Sequence, residues 1–144
     1  MNFCWNDYIN LAEKLIKYSK DNKEIVEAFL RTSISRSYYG IYCSAKKYLI
    51  SVYGNSVLQK DYNSDVRDED NKNKITEHMI IQNIYINSDE DLKKEIGEHL
   101  KNLRINRNKS DYYEDYNINI NNTILLNISA KKAMTCLKKL GFSD

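Results

Sequence analysis

The sequence predicts an all-α protein, an antiparallel bundle of four or five helices, and three observations carry that expectation. The 144 residues hold no proline and only four glycines, so nothing in them forbids long helices. Apolar residues recur at helical spacing through several long stretches. A charged fraction of 29% beside a hydrophobic fraction of 42% is that of a folded chain, not a disordered one. Residues 1–144 read as one helical domain, long enough to bury a core without disulfides or metals.

Taken in order, Leu11, Leu15 and Ile16 alternate with Glu13, Lys14 and Lys17, and with Trp5 and Tyr8 they predict an amphipathic helix over Asn6 to Ser19. Asp21 and Asn22 follow as a turn and a cap. From Lys23 to Tyr53 runs the strongest helix, with Ile34, Tyr38, Ile41, Tyr42, Ala45, Tyr48 and Leu49 on its apolar face. A second stripe, Ser33, Ser37, Gly40 and Ser44, is small, and small residues admit a close neighbour. That neighbour is a helix of the same fold or the wall of a binding groove. With the many tyrosines, the stripe also suggests a subunit interface.

Gly54 ends this helix, and the acidic stretch that follows (Asp61, Asp65, Asp68, Glu69, Asp70) reads as a mobile loop over 54–73. A short helix over 75–85 carries His78 near its start. Asn87 or Ser88 is expected to cap a long helix reaching Tyr112, because Asp89, Glu90 and Asp91 suit a helix N-terminus. Its core stripe is Leu92, Ile96, Leu100 and Leu103. Asn121 or Asn122 is expected to cap the last helix, with Ile124, Leu125, Ile128, Ala133, Met134, Leu137 and Leu140 apolar and Gly141 as its stop. The stretch from Asn117 to Asn122 is expected as a loop, since a lone strand has no partner.

A net charge of +2 does not suggest a strongly basic nucleic-acid binder, so affinity for RNA has to come from a local patch. Cys4, Cys43 and Cys136 are odd in number and far apart, which argues against a disulfide framework or zinc site. They read as small core residues, and a reducing, cytoplasmic setting fits them. No signal peptide, membrane span, metal or cofactor is expected.

The chemistry concentrates in LRINRNKSDYY, Leu103 to Tyr113. With about 100° per residue, Arg104, Asn108, Asp111 and Arg107 share one face of a helix. Lys101 and Lys109 add positive charge nearby. Arginine is the side chain best suited to bidentate phosphate contact. The plain alternative is a surface salt-bridge cluster with Asp111, Glu114 or Asp115. Arg36 sits in a helix crowded with Tyr38, Tyr39 and Tyr42, and Asp111 is a candidate partner for it. Of the two histidines, His99 points elsewhere on its helix. His78 is either a helix-start residue satisfied by hydrogen bonds or a visitor to the arginine cleft.

The stretch SISRSYYGIYCSAKKYL, Ser33 to Leu49, resembles the long second helix of small HEPN-domain proteins. LRINRNKSDYY resembles the second signature of that group, and Thr76-Glu77-His78 falls where the group often has Thr-His. The resemblance covers nearly the whole chain in helix order. It implies a helical bundle that forms a homodimer, with the polar motifs of two subunits meeting in one cleft. It also implies a toxin or antiviral-defence protein that acts on RNA as a metal-independent endoribonuclease. Carried onto this chain, Arg104 and Arg107 bind the scissile phosphate, Asp111 orients them and Asn108 positions the backbone. Lys101, Lys109 and Arg36 support RNA binding.

The family's ribonuclease motif is an arginine, four to six residues, then histidine. Here Arg107 is followed at that distance by Tyr112, and Arg104 by Asp111. Tyr112 is then the candidate proton donor or acceptor, although lowering its pKa from about 10 to about 7 takes roughly 4 kcal/mol. The second reading is a non-catalytic HEPN module that binds a minimal nucleotidyltransferase antitoxin, or another partner in a defence complex. That transferase would modify a tyrosine, with Tyr112, Tyr113 and Tyr116 as candidate acceptors.

Overall fold

The computed structural model describes residues 2–58 and 76–144. Most of the acidic segment expected as a mobile loop lies outside the described residues. Among the described residues, five α-helices of ten or more residues follow one another: α1 (Asn6–Ser19), α2 (Val26–Tyr53), α3 (Glu77–Ile86), α4 (Asp91–Tyr112) and α5 (Ile120–Lys139). A 3-10 turn, Lys23–Ile25, leads into α2. No strand occurs among the described residues.

Contacts fix the directions. Ser33 Oγ donates to Ala12 O (2.8 Å) while Gly40 meets Ile9 and Trp5, so α1 and α2 run antiparallel. Arg31 reaches Ser110 and Lys93 reaches Tyr53, so α2 and α4 also run antiparallel. His99 Nδ1 lies 2.6 Å from Ser129 Oγ, tying α4 to α5. The four long helices thus form an up-down-up-down bundle. Its core holds Ile9, Ile34, Ile41, Leu49, Leu103 and Leu137, all at most 1% exposed. The short α3 packs mainly along α4.

The small stripe on α2 is used up inside the chain. A Cβ on Gly40 would sit 2.6 Å from Ile9 Cγ1 and 3.1 Å from Trp5 O, so only glycine admits α1 this close. Ser37 Oγ accepts from Asn127 Nδ2 (3.1 Å), which also donates to Ile9 O (3.1 Å). The stripe is therefore the α1–α2–α5 seam and offers no surface to a second subunit. Gly97 makes the other close approach, since a Cβ there would lie 2.5 Å from Ile86 N and 2.9 Å from its Cα.

Several expected details shift. α1 buries Ile9, Ala12 and Ile16, while Leu11 is 41% exposed. The N-cap of α4 is Glu90, not Asn87 or Ser88, although Ser88 Oγ accepts from Glu90 N (3.2 Å). The cap of α5 is Asn119, whose Oδ1 accepts from Asn122 N (2.8 Å). This start leaves Leu125 63% and Ile128 39% exposed and buries Thr123, Leu126 and Asn127 instead. Among the described residues no helix is long and apolar enough to cross a membrane.

Candidate active site

Tyr38 and Tyr42 stand four residues apart on α2 and so share a face. Their rings stack with centroids 5.6 Å apart. The N-terminus of α3 comes down onto this face. Thr76 caps α3, its Oγ1 accepting from Met79 N (3.4 Å), and this puts Glu77 and His78 in the first turn. Glu77 Oε1 accepts from the Tyr42 hydroxyl (2.6 Å) and pairs with Lys46 Nζ (2.7 Å). The His78 imidazole stacks on Tyr42 at 4.2 Å, and its Nδ1 lies 2.5 Å from the Tyr38 hydroxyl.

α4 brings the two arginines to the same place. Arg104 Nε donates to Oε1 of the buried Gln82 (2.8 Å). Arg107 is only 7% exposed, and its guanidinium lies over the rings of Tyr38 (5.1 Å) and Tyr39 (5.4 Å). Its Nη1 is 3.6 Å from Asp111 Oδ2. Its Nε is buried and has no hydrogen-bond partner among the described residues.

These neighbours set the proton affinities. Burial, and then the charge of Arg107, hold His78 below the ordinary histidine value. Burial pushes the Tyr38 hydroxyl well up, with Arg107 and Arg104 opposing it. Tyr42 is pushed up by burial and by its bond to Glu77. The Lys46 ammonium, then the Tyr42 hydroxyl, hold Glu77 below the usual carboxylate value. At neutral pH the cleft therefore holds a neutral imidazole, protonated tyrosines and an ionised Glu77. Cys43 is held by burial at about 11, so it is no thiolate nucleophile.

The chain has no match among models of protein families, among curated proteins or among solved structures. Its site is read from its own chemistry.

The expected site residues divide. Arg104 and Arg107 reach the cleft, and Asp111 pairs with Arg107. Arg36 does not take Asp111 as its partner. Its guanidinium lies over Tyr8 (4.6 Å) and Tyr39 (5.4 Å). Tyr112 is 73% exposed and lies about 140° around α4 from Arg107, so the structure does not bring it to the arginines. Asn108 and Lys109 line a separate groove of about 550 Å³ with Ile105, Tyr113 and Tyr116. Lys101 is exposed one turn before Arg104. Tyr113 is 58% exposed, whereas the Tyr116 hydroxyl donates to Asn106 Oδ1 (2.6 Å). Arg31 holds this end of α4, donating to Ser110 O (2.5 Å), Tyr113 O (3.0 Å), Glu114 O (3.3 Å) and Tyr116 O (3.4 Å).

Tyr38, Tyr42, Lys46, Glu77 and Gln82 belong to the site and had not been singled out for it. The i, i+4 spacing of Tyr38 and Tyr42, and the adjacency of Glu77 and His78, were the available signals. Among the described residues no group of three His, Cys, Asp or Glu stands close enough to hold a metal ion.

Proposed function

We propose that this chain acts on RNA as a metal-independent endoribonuclease of the HEPN kind, with Arg104 and Arg107 on the scissile phosphate and His78 as the proton-moving group. One observation carries the reading. The positions of α4 where the family's histidine would fall hold Tyr112 and Asp111, and α3 instead brings His78 to the arginines, its Nδ1 2.5 Å from the Tyr38 hydroxyl. Arg107 adds a buried guanidinium with an unmatched N–H beside it.

Cleavage through the ribose needs a 2′-hydroxyl deprotonated and the phosphorane charge stabilised. His78, kept neutral, takes the 2′-hydroxyl proton. The oxygen attacks phosphorus, the bond to the 5′-oxygen breaks, and the departing alkoxide is protonated by water. The products are a 2′,3′-cyclic phosphate and a free 5′-hydroxyl. Arg104 and Arg107 face the charge that grows on the phosphoryl oxygens. Tyr38 is a positioning residue, since its hydroxyl fixes the ring and tautomer of His78.

The test is an RNA cleavage assay in EDTA with wild type, Arg107→Ala and His78→Gln. Wild type is expected to yield cyclic-phosphate ends, and His78→Gln to lose about 10² to 10⁴ in rate. A wild type that neither binds nor cuts RNA ends the reading. The exposure of Tyr112 and Tyr113 favours a second one, in which a nucleotidyltransferase modifies the end of α4. A mass shift on either tyrosine after incubation with such a partner and ATP would support it. The small stripe does not support the expected homodimer, and sedimentation at micromolar concentration tests that expectation separately.

A further inference from the structure

The N-terminal aromatic residues do nothing in the chemistry above, yet they lead straight to it. Phe3, Trp5 and Tyr8 form a cluster in which each ring meets the other two edge-on, at 5.0, 5.1 and 5.6 Å. Phe3 is 49% exposed, while Trp5 and Tyr8 are half-buried. The cluster is held in place. The carboxylate of Asp144 accepts from Trp5 N (3.3 Å) and Asn6 N (3.4 Å). From Tyr8 the series continues through the Arg36 guanidinium at 4.6 Å to Tyr39 at 5.4 Å, and Tyr39 in turn lies under Arg107.

Flat rings therefore alternate with guanidiniums, in steps of 4.6 to 5.4 Å, from the surface cluster to the candidate phosphate site. A polymer that alternates flat faces with phosphates matches this order. Single-stranded nucleic acid is recognised in this way, by bases stacked on aromatic side chains or on arginine planes. A duplex hides its base faces and cannot use such a track. At about 3.4 Å per stacked nucleotide, the path from Arg107 to Tyr8 is at most four or five nucleotides long.

We infer that Phe3, Trp5 and Tyr8, with Arg36, form a base-stacking subsite for the single-stranded RNA that flanks the scissile phosphate. The inference rests on the RNA reading above and adds to it where the flanking bases lie. Arg36 would carry a phosphate or a base plane between the cluster and the cleft.

Trp5 is the chain's only tryptophan, so its emission reports on the subsite directly. The experiment titrates full-length protein with a single-stranded 2′-O-methyl oligoribonucleotide, in which the attacking hydroxyl is blocked. Binding is followed by Trp5 emission and independently by filter retention. Saturable quenching of Trp5 is expected, with little from the corresponding duplex. Phe3→Ala and Arg36→Ala should each weaken binding about tenfold, the scale of one lost base-stacking contact. Tyr18→Ala, which removes an exposed ring outside the cluster, should bind as wild type does, with melting temperatures checked throughout. If the oligonucleotide is retained but Trp5 stays silent and Phe3→Ala binds normally, the subsite is overturned while the RNA reading stands. If no RNA is retained or cut, both fall. Quenching that follows protein concentration without RNA would mark the cluster as an interface between copies and overturn the proposal.

Discussion

Arg107→Met separates a structural arginine from a functional one, because the two predict opposite behaviour. Methionine keeps the length and apolar contacts of the side chain and removes its charge. The substitution gives up two cation–π contacts, at 5.1 and 5.4 Å, each worth about 0.5–2 kcal/mol. It also gives up a 3.6 Å ion pair with Asp111. The Asp111 side chain is 30% exposed, so solvent can take over its charge and the pair contributes at most about 1 kcal/mol. Against these losses it removes a buried donor that has no partner among the described residues, which costs the wild type about 1–3 kcal/mol. At their central values the two sides nearly cancel, and stability should fall by about 1 kcal/mol. At roughly 3–5 °C per kcal/mol for a chain of this size, the melting temperature moves by a few degrees. Loss of one preorganised donor to the phosphorane should lower cleavage by about 10² to 10³. Denaturant unfolding and cleavage in EDTA read the two effects separately. A loss above about 3 kcal/mol would make Arg107 a structural residue, and unchanged cleavage would remove it from the site.

Four further outcomes are expected. With His78 as base and held below the ordinary value near 6.5, kcat/KM should stay level from about pH 8 to below 6.5 and fall only there, whereas a rate that drops as pH rises through that range would make His78 an acid. Stability has the same sign: between the lowered folded value and about 6.5 the unfolded chain binds the proton more readily, so wild type should lose stability relative to His78→Gln as the pH drops through that window. Arg31→Met should release the end of α4, with amide-exchange protection at Tyr113 to Asn117 falling and stability dropping by about 2 kcal/mol, and unchanged exchange there would contradict the role given to Arg31. Gly97→Ala forces a Cβ to 2.5 Å from the Ile86 backbone and should cost about 1–3 kcal/mol by denaturant unfolding, an effect that a neutral result would deny.

The helices were largely legible because their signals are local. The bounds of α1 and the ends of α2 and α4 were readable from apolar spacing and from Gly54. The caps were less so, because Asn and Ser are abundant near the helix starts and each is a competent cap. Only the chain's path selects Asn119 over Asn121. The buried face of α1 was ambiguous for the same kind of reason: Ile9, Leu11, Ala12, Leu15 and Ile16 surround much of that helix, and contact with α2 decides which of them are buried. On α4 the helical angle put Arg104, Arg107 and Asp111 on one side. It could not reveal that Gln82 and His78 face them, since these belong to another helix. The sequence shows Glu27 one turn before Arg31, but not the role of Arg31 at the end of α4, because its partners there are backbone carbonyls, which every residue has.

On the proposed reading, the arrangement also gives a reason for His78 to stand on a different helix from the two arginines. Arg107, with a weaker effect from Arg104, opposes protonation of His78 and so keeps it in the basic form while the cleft is empty. A phosphodiester bound between the arginines offsets that positive charge, and the proton affinity of His78 rises. On the proposed ribonuclease reading, once His78 has taken the 2′-hydroxyl proton the imidazolium faces a phosphorane that carries more negative charge than the bound substrate did. The attraction between the two is therefore greater in the transition state than in the ground state, and only such differential interactions raise kcat. By linkage, phosphate binding and His78 protonation favour each other to the same extent. Tyr38 adds the geometric condition. Its oxygen can accept from Nδ1–H in both protonation states of the ring, which leaves Nε2 of the neutral form as the basic nitrogen. On that reading the same three side chains set the resting state of the base and stabilise the charge that its action creates.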